Sequence, residues 1–547
     1  MEAEGQPRGA PLACGALGSF DRGRVERIAR SLGGGLAPVH EDENSILMLD
    51  RKPLEWSGTG GRGLAWVAGA RWRGGAERWS DAARQGACGL AISGSPFVHS
   101  AIDGLLPVYW LDDAGAAYFA TRLEPLARSV PGRLSVDWDA WSSTFLLRYP
   151  LGDRTPFAEI RRLPQHSTLC RREGRTMVES PSWPWAAIHP DRSPSAAAEA
   201  AIEALRESTR ALGDGVICPL SGGRDSRILL QLLVEHEQAG AALTVGDDAG
   251  TGREEDLASP VADALGVRHE VLAPTAADYP DDWALRAERV EHQFVDHAWL
   301  APLARCLDGV SAPVVDGFAL DVWMQSGNRF YDPESLEPGV RGRDLLFDRL
   351  RRYGKAQLAF AEPLREPLLA RVREQFLVQV DHYTGHPSQA LLSLYATRSV
   401  RGVGRYPIGL LGHRASVIVP GAADAFARAA LSADPLEKAP HRMYDHILAR
   451  FGRIGAMPTT NDAPRRKPTL PRRWRSEPAV AMYRDLLSEG PLAEHLAPEL
   501  RAWLENPNRG ELSGDLRLGM EAIGLFHHWW RRYRPLLSEP LVEDLRG

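Results

Sequence analysis

The sequence predicts an α/β protein in which a β-rich N-terminal region precedes a doubly wound parallel sheet and a helical C-terminal extension. Three observations predict this order. Short apolar runs separated by glycine, proline and charged turns extend from about Cys14 to Met177. Strands and helices then alternate at the spacing of βαβ units up to Gly317, a pattern typical of a parallel sheet. From about residue 340 onward the pattern is mainly helical.

Length and composition exclude several classes of protein. The chain has 547 residues, enough for roughly two to four domains, and its 44% hydrophobic and 25% charged content is typical of a globular chain. A formal charge of −6 predicts no general attraction to nucleic acid or anionic lipid. No apolar run is long enough to cross a membrane, and the N-terminus lacks a signal-peptide pattern. Five scattered cysteines without metal-type spacing favour reduced thiols and a cytoplasmic location.

The elements follow one another in a consistent order. The clearest strand segments of the β-rich region are GLAWVAG, GLAISG, PVYWLDDAGAAYFATR and TLCRREGRTMVE. The proline- and tryptophan-rich stretch SPSWPWAAIHPDRSPS then predicts a linker. SAAAEAAIEALRESTRALG predicts an amphipathic helix, with serine and proline at its start and glycine after its end.

The alternating region begins with the strand GVICPL and the helix DSRILLQLLVEHEQAG. AALTVGDD predicts a second strand, REEDLASPVADALG a second helix, and RHEVLAP a third strand. A further strand, APVVDG, ends in a turn at Gly317. The helical remainder is interrupted by the proline- and arginine-rich loop NDAPRRKPTLPRRWR.

The segment PLSGGRDSRILL, which begins at Pro219, is the strongest candidate for a ligand site. A strand leads into Ser221, two adjacent glycines permit unusual backbone angles, and a helix begins near Asp225. Backbone N–H groups and the helix dipole at such a junction attract an anion. Ser226 adds a hydroxyl donor, and Asp225 is placed to hold Mg²⁺ against phosphate oxygens. The alternative is an ordinary turn in which Asp225 caps the helix. The segment lacks the Gly-Lys-Ser/Thr ending of a Walker loop.

This segment resembles the SGGxDS pyrophosphate loop of N-type ATP pyrophosphatases, and more specifically the synthetase domain of the asparagine synthetase family. Two further stretches resemble that family in the same order. LTVGDDAGTGREEDLASPVADALGVRHEVL resembles its second strand, acidic turn and helix, and VVDGFALDVWMQSG resembles its GxGxDE segment. In the N-terminal part, PVYWLDDAGAAYFATRLEPL and LGDRTPFAEIRRLPQHSTL resemble the end of the family's glutaminase domain.

The resemblance implies a domain division and a set of site residues. Residues 1–180 would form a degenerate glutaminase-like domain of the Ntn type, and residues 195–547 an asparagine synthetase-like ATP pyrophosphatase domain that is helical from about residue 340. Mg²⁺ would bind Asp225 and Asp321. ATP and its pyrophosphate would contact Leu220, Ser221, Gly222, Gly223, Arg224, Asp225, Ser226, Val245, Gly246 and Gly317.

The implied function is ATP- and Mg²⁺-dependent adenylation of a carboxylate followed by amide formation. Magnesium held by Asp225 and Asp321, together with the loop amides, would stabilise the charge of the departing pyrophosphate. A degenerate glutaminase domain beside an intact SGGRDS loop resembles lasso-peptide macrolactam cyclases, in which an Asp or Glu side chain of a precursor peptide joins the peptide's own N-terminal amine. The alternatives are a β-lactam synthetase-like or other small-molecule amide synthetase, a glutamine-dependent asparagine synthetase, and a non-catalytic nucleotide-binding protein. The partners implied are a peptide or small-molecule carboxylate and amine, and a leader-peptide-binding protein or protease.

One departure from the family concerns the supply of ammonia. A glutamine-hydrolysing member needs an N-terminal cysteine whose amine serves as the base for its own thiol. Position 2 is glutamate here, and although the stretch from Cys14, CGALG, resembles the family's opening CGIxG, no glutamine-holding RGPD or NGE stretch follows. Cys14 is therefore predicted to be a buried strand cysteine, with exposure by removal of thirteen residues as the alternative.

Further departures concern the synthetase site. Phe318 stands where the family has an acid or, in β-lactam synthetase, a tyrosine, and Val322 replaces the acid after the second magnesium carboxylate. The family's transition-state lysine has no clear match, and the nearest stretch, LEKAPHRMYDHIL, offers Lys438, His441 or Arg442, with a solvated helix start as the alternative.

Several other polar residues have two interpretations each. Arg227 is expected either to contact phosphate or to pair with a local acid. Arg405 lies where the family that the sequence resembles has an arginine. His292 and His297 either face the acceptor pocket or are structural. A basic cluster either binds an acidic peptide or phosphate or is solvated charge; its members are Arg465, Arg466, Lys467, Arg472, Arg473 and Arg475.

Overall fold

The computed structural model describes residues 9–33, 35–59, 61–68, 75–210, 212–248, 250–324, 332–351, 355–464, 466–467, 469–507, 511–539 and 542–546. About half of this part of the chain is helical, and its strands form two antiparallel sheets and one parallel sheet. The α/β class and the parallel sheet predicted from the sequence are confirmed. The family-level division into glutaminase-like and pyrophosphatase domains stays a prediction.

In its described residues, the N-terminal region contains both antiparallel sheets and helices α1 to α4. Its elements are β1 Ala13–Gly18, α1 Arg22–Leu32, β2 Ala37–Glu41, β3 Ser45–Leu49, β4 Leu54–Gly58, β5 Gly61–Val67, α2 Trp79–Arg84, β6 Ala87–Ala91, β7 Phe97–His99, β8 Tyr109–Asp113, β9 Ala116–Ala120, α3 Leu123–Ser129, α4 Trp138–Leu147, β10 Arg161–Arg162, β11 Thr168–Arg172 and β12 Arg175–Glu179. The strand order is β10–β8–β9–β1–β3–β2 in the first sheet and β12–β11–β7–β6–β5–β4 in the second.

Neighbouring residues of β9 show how these layers stack. Phe119 lies parallel to Trp66 of the second sheet, with ring centroids 6.5 Å apart. The adjacent Tyr118 hydroxyl accepts a hydrogen bond from the N–H of Asp21 at the start of α1. Because successive side chains of a strand point to opposite faces, the two sheets face each other and α1 covers the outer side of the first sheet.

The predicted linker is a packed segment rather than a free tether. Trp183 and Trp185 are buried, and the indole N–H of Trp185 donates to Asp424 at 2.6 Å. The indole N–H of Trp183 donates to the carbonyl of Ile102 at 3.0 Å. Composition alone suggested a linker because proline and serine are frequent in loops, but the two tryptophans bury enough apolar surface to fix the segment.

The parallel sheet follows this segment. Its region comprises α5 Pro194–Thr209, β13 Val216–Pro219, α6 Asp225–Glu235, β14 Ala239–Val245, α7 Arg253–Leu265, β15 His269–Leu272, α8 Tyr279–Arg289, α9 Ala301–Leu307, β16 Val314–Val315 and α10 Leu320–Met324. The helical extension then comprises α11 Pro333–Leu336, α12 Val340–Arg351, α13 Glu362–Val380, α14 Gln389–Leu394, the π-helical segments Tyr395–Val403 and Tyr406–Leu410, β17 Val417–Ile418, α15 Asp424–Leu431, α16 Pro435–Lys438, α17 Arg442–Ala449, α18 Arg453–Ala456, α19 Glu477–Ser488, α20 Pro498–Glu505 and α21 Gly514–Tyr533.

The order of the parallel sheet determines where a ligand can bind. The strands run β15–β14–β13–β16–β17, so the chain moves outward from β13 to β15 and then returns to the other side of β13. The reversal between β13 and β16 opens a crevice at their carboxyl ends, where ligands of doubly wound sheets bind. The loop containing Ser221 and the turn at Gly317 both border this crevice. The sequence did not predict β17, whose two residues lie between helical segments.

Both regions contribute to one buried apolar core. Arg148, at the end of α4, pairs with Asp296 and Glu521 of the C-terminal half at 2.5 and 2.7 Å. Among the described helices, none combines the length and apolar character that a membrane crossing requires.

Candidate functional site

The loop between β13 and α6 holds its own backbone amides in a compact arrangement. The N–H of Ser221 donates to Ser226 Oγ at 3.0 Å, and the N–H of Gly223 donates to Ser221 Oγ at 3.1 Å. The N–H of Gly222 donates to the carboxylate of Glu254 at 2.8 Å. A negatively charged oxygen therefore already rests on this loop, as expected of an anion-binding turn at a helix N-terminus.

The space around position 222 admits only glycine. A Cβ atom there would lie 2.8 Å from Thr460 Cγ2 and 2.9 Å from Leu257 Cβ. Any larger residue would push the loop away from α7 and from the segment around Thr460. The glycine thus allows the close approach that brings Glu254 to the loop amide.

Asp225 does not cap α6, so the turn-and-cap alternative is wrong in this respect. The N-cap residue is Arg224, which makes no side-chain capping bond, and Asp225 lies in the first turn. The Asp225 carboxylate instead accepts a hydrogen bond from the hydroxyl of Tyr444, on α17. Its carboxylate is thereby held beside the crevice, where a cation can reach it.

Three carboxylates lie at the crevice: Asp316 is buried, and Asp225 and Asp321 are half-buried. Asp316 follows β16, Asp321 lies in the first turn of α10, and a Cβ atom on Gly317 would lie 3.1 Å from Asp225 Cβ. Burial, and then the negative charge of Asp321, raise the pKa of Asp225 well above its usual range. Burial also raises the pKa of Asp321, and it raises that of Asp316 to about 6. Like charges that are close together and partly removed from water are costly unless a cation compensates them.

The residues present fit a magnesium ion held jointly by protein and phosphate. Within the described part of the chain, no group of three His, Cys, Asp or Glu side chains forms a complete metal site. Mg²⁺ usually takes only one or two protein carboxylates and completes its shell with phosphate oxygens and water. Asp225 and Asp321, the predicted pair, would supply those carboxylates.

The crevice is a cleft of about 620 Å³. Most of the predicted nucleotide-binding residues line it together: Leu220, Ser221, Asp225, Ser226, Val245, Gly246, Gly317 and Asp321. Gly222 and Gly223 do not line the cleft themselves, but Glu254, which accepts the hydrogen bond of the Gly222 N–H, does. The Arg224 side chain points away toward Asp462, at 3.4 Å. Arg224 is therefore placed to support the loop rather than to contact a ligand.

Phe318 and Val322 form part of the cleft wall. The N–H of Phe318 donates to Asp316 at 2.8 Å, and its ring meets that of Tyr406 edge to face. The Tyr406 hydroxyl also donates to Asp316 at 2.8 Å. Asp316 thus brings to this wall a carboxylate that the sequence analysis missed, although an acid directly after the predicted strand APVVDG was a usable signal.

None of the three candidates for a transition-state cation, Lys438, His441 and Arg442, lines the cleft. Lys438 is buried and donates to the carbonyl of Ala430 at 2.7 Å, and burial lowers its pKa to about 7. Arg442 is exposed at the start of α17. A different cation, Arg398, lines the cleft from the π-helical segment, and its positive charge acts on Asp321.

Arg227, Arg405 and His292 are structural. Arg227 is fully buried and donates to the carbonyls of Gly223, Ile454, Met457 and Pro458, so neither the phosphate nor the local-acid interpretation is correct. Arg405 pairs with Glu291 at 3.0 Å within the core. His292 is buried, and its Nε2 lies 2.9 Å from Nδ1 of His528.

His297 does line the cleft. Its ring stacks on Tyr406 with centroids 5.1 Å apart, and burial lowers its pKa to about 4. It is therefore neutral at pH 7 and adds an aromatic surface rather than a charge.

The residues of the predicted basic cluster do not form one surface patch; most of them pair with different acids. Arg472 lines the cleft and pairs with Asp248 at 3.0 Å. Arg466 pairs with Asp256, Arg473 with Asp282, and Arg475 with Glu511. Lys467 is exposed, and Arg465 lies outside the described residues. These local ion pairs favour the solvated-charge interpretation for most of the cluster.

Cys14 is the buried strand cysteine that the sequence predicts. Cys14 lies in β1, an interior strand of the first sheet, and is fully buried. Burial raises the pKa of its thiol to about 12. A thiol in this state is a poor nucleophile.

Comparison with known proteins adds no further assignment, since the chain matches no protein-family model and no curated protein sequence.

Proposed function

We propose that this protein is an ATP-dependent carbon–nitrogen ligase that activates a carboxylate as an acyl adenylate and transfers the acyl group to an amine. In the first step a carboxylate oxygen attacks the α-phosphorus of ATP, the α–β bridging bond breaks, and pyrophosphate leaves. In the second step the amine attacks the acyl carbon, AMP leaves, and one proton is released. The products are an amide, AMP and pyrophosphate.

The observation that carries this proposal is one shared cleft with two complementary sides. On one side the carboxylate of Glu254 lines the cleft and accepts a hydrogen bond from the Gly222 N–H of the Ser221–Arg224 loop. On the other side Asp225 and Asp321 line the cleft, both half-buried. A backbone donor and two carboxylates thus border the switch point of the parallel sheet, an arrangement that would suit a pyrophosphate and its magnesium, because preorganised charge lowers the barrier to leaving-group departure.

The residues have distinct roles in this scheme. The loop amides would receive the β- and γ-phosphates once Glu254 withdraws. Mg²⁺, held by Asp225 and Asp321, would neutralise charge on the departing pyrophosphate. Tyr444 would orient Asp225, and Arg398 would stabilise negative charge near Asp321.

Within this class we favour intramolecular amide formation on a peptide, as in lasso-peptide macrolactam cyclases. The buried thiol of Cys14 supports this choice because it offers no route to ammonia from glutamine. The amine must then come from the substrate or from a second small molecule.

The test combines the protein, ATP, Mg²⁺ and candidate precursor peptides. AMP is measured by ion-exchange chromatography, and the peptide by mass spectrometry for the loss of one water. We expect AMP and dehydrated peptide with the unaltered protein and with Asp263→Asn, an exposed acid on α7. Asp225→Asn and Asp321→Asn should abolish both products.

Three outcomes would contradict the proposal. ADP in place of AMP would show cleavage at the wrong phosphate. Pyrophosphate release that is unchanged in Asp225→Asn would remove the assigned site. ATP binding without AMP, for every acceptor offered, would favour a non-catalytic nucleotide-binding protein.

A further inference from the structure

A second chamber adjoins the nucleotide cleft. It has a volume of about 520 Å³ and shares Asp248, His297, Trp299 and Arg398 with the cleft as common wall. Residues 146–149 of the N-terminal half line it together with residues of the C-terminal half. A volume in this range accommodates a ligand of drug or short-peptide size, considerably larger than a single small amino acid.

The chamber wall is both aromatic and basic. Trp283, Trp299 and Trp474 contribute large apolar surfaces, as do Tyr149 and Phe294. The charged residues of the wall are five arginines against three carboxylates: Arg148, Arg286, Arg398, Arg473 and Arg517 against Asp248, Asp296 and Glu521. An apolar wall with excess positive charge suits an amphipathic anion.

Most of these arginines have acidic partners. Arg148 pairs with Asp296 and Glu521, and Arg517 pairs with Glu521 at 2.8 Å. Arg473 pairs with Asp282 outside the chamber. The charge of Glu521 is therefore shared between two arginines.

Arg286 differs from its neighbours. It is fully buried on α8, and its Nη1 donates to the carbonyl of Phe294 at 2.7 Å. Within the described part of the chain, its Nε and Nη2 have no hydrogen-bond partner. Both atoms are covered by neighbouring side chains, so a ligand reaches them when a wall side chain moves aside. The guanidinium lies 5.0 Å from the ring centre of Trp283, which holds the side chain in place. A buried guanidinium with two unused donors is costly unless a ligand completes it.

We propose that this chamber binds a peptide-sized organic acid with bulky apolar groups, and that Arg286 holds a carboxylate of that ligand through Nε and Nη2. The two adjacent donors match the two oxygens of a carboxylate. A carboxylate that undergoes adenylation loses its charge, so the partner of Arg286 is a second, unreacting carboxylate. The identification of this ligand as the substrate rests on the proposed function, whereas the binding site itself does not.

The probe is the dipeptide acetyl-4-fluorophenylalanyl-glycine, compared with its uncharged C-terminal amide. Binding of each to the full-length protein is measured by ¹⁹F NMR titration without ATP. We expect the acid to bind at least about tenfold more tightly than the amide, since a hydrogen-bonded charge pair is worth at least that factor. Equal affinities in the unaltered protein would overturn the proposal.

Four variants locate the effect. Arg286→Gln should remove the preference for the acid, and Arg286→Lys should retain part of it. Trp299→Ala, which changes a half-exposed wall residue, should weaken both peptides by a similar factor. The control Arg484→Gln, an exposed arginine that donates to the carbonyl of Leu504, should change neither. A preference for the acid that persists in folded Arg286→Gln, or affinities for both peptides that are unchanged in Trp299→Ala, would overturn the assignment.

The result is independent of catalysis. Preferential binding of the acid without AMP formation would contradict the proposed function and leave the chamber assignment intact. AMP formation with equal binding of the acid and the amide would contradict the chamber assignment and leave the proposed function intact.

Discussion

The contact between Glu254 and the Gly222 amide leads to a quantitative prediction. Pyrophosphate cannot occupy that amide until the Glu254 carboxylate, now 2.8 Å away, leaves it. A hydrogen bond to a charged group contributes about 1.5–3 kcal/mol, and 1.4 kcal/mol corresponds to a factor of ten in affinity. Glu254→Ala should therefore bind magnesium pyrophosphate roughly 10- to 100-fold more tightly than the unaltered protein.

Isothermal titration calorimetry with magnesium pyrophosphate measures this effect. Asp256→Ala is the matched control, because Asp256 lies in the same first turn of α7 but is exposed and pairs with Arg466. Both variants lose one acid near the helix N-terminus, so their difference isolates the loop contact. An affinity in Glu254→Ala that equals or falls below that of the control would refute the displacement of Glu254 by pyrophosphate.

Three further predictions concern pH, stability and thiol reactivity. Burial raises the pKa of Asp316 from 3.8 to about 6, so its contribution to stability is present below about pH 4 and is lost as the pH rises through 6. Between pH 4 and pH 7 the free energy of unfolding of Asp316→Asn, measured by urea unfolding, should therefore fall by about 2 kcal/mol less than that of the unaltered protein. The same pH dependence in both proteins would contradict this. Arg227→Met leaves backbone carbonyls without their donor and should destabilise the protein by about 3 kcal/mol in the same assay, whereas a change below about 1 kcal/mol would contradict its structural role. Iodoacetamide at pH 8 should label the partly exposed Cys306 in the native protein but Cys14 only after unfolding, and mass spectrometry that finds native Cys14 alkylated would reopen the glutaminase alternative.

The alternating region was predictable because its apolar runs are long and its turns are well marked. The strand GVICPL is observed as β13, Val216–Pro219, and the helix that begins at Asp225 starts where the sequence places it. That helix ends at Glu235 rather than near Gly240, because Glu237 adopts a left-handed conformation that the sequence does not signal. The loop and the Gly317 turn lie close together because β13 and β16 are neighbours in the sheet. The spacing of βαβ units predicted a doubly wound sheet with a crevice at its strand ends, but not this order.

The parts that sequence reasoning missed depend on contacts between distant positions. Tyr444 meets Asp225 across 219 residues of chain, and no local pattern links the two. Arg227 follows the loop and therefore suggested a phosphate ligand, yet three of its four partners are carbonyls more than 200 residues later. The burial of an arginine by carbonyl groups has no signature in hydrophobic periodicity.

The most direct test of the central claim is a crystal structure of the protein with Mg²⁺ and α,β-methylene-ATP, which resembles ATP but resists cleavage between the α- and β-phosphates. The account predicts that the β- and γ-phosphates lie on the amides of Ser221–Arg224, that Glu254 has left Gly222, and that Mg²⁺ bridges the phosphates to Asp225 and Asp321. A nucleotide bound elsewhere, or one whose phosphates lie away from this loop with Glu254 still in place, would contradict it.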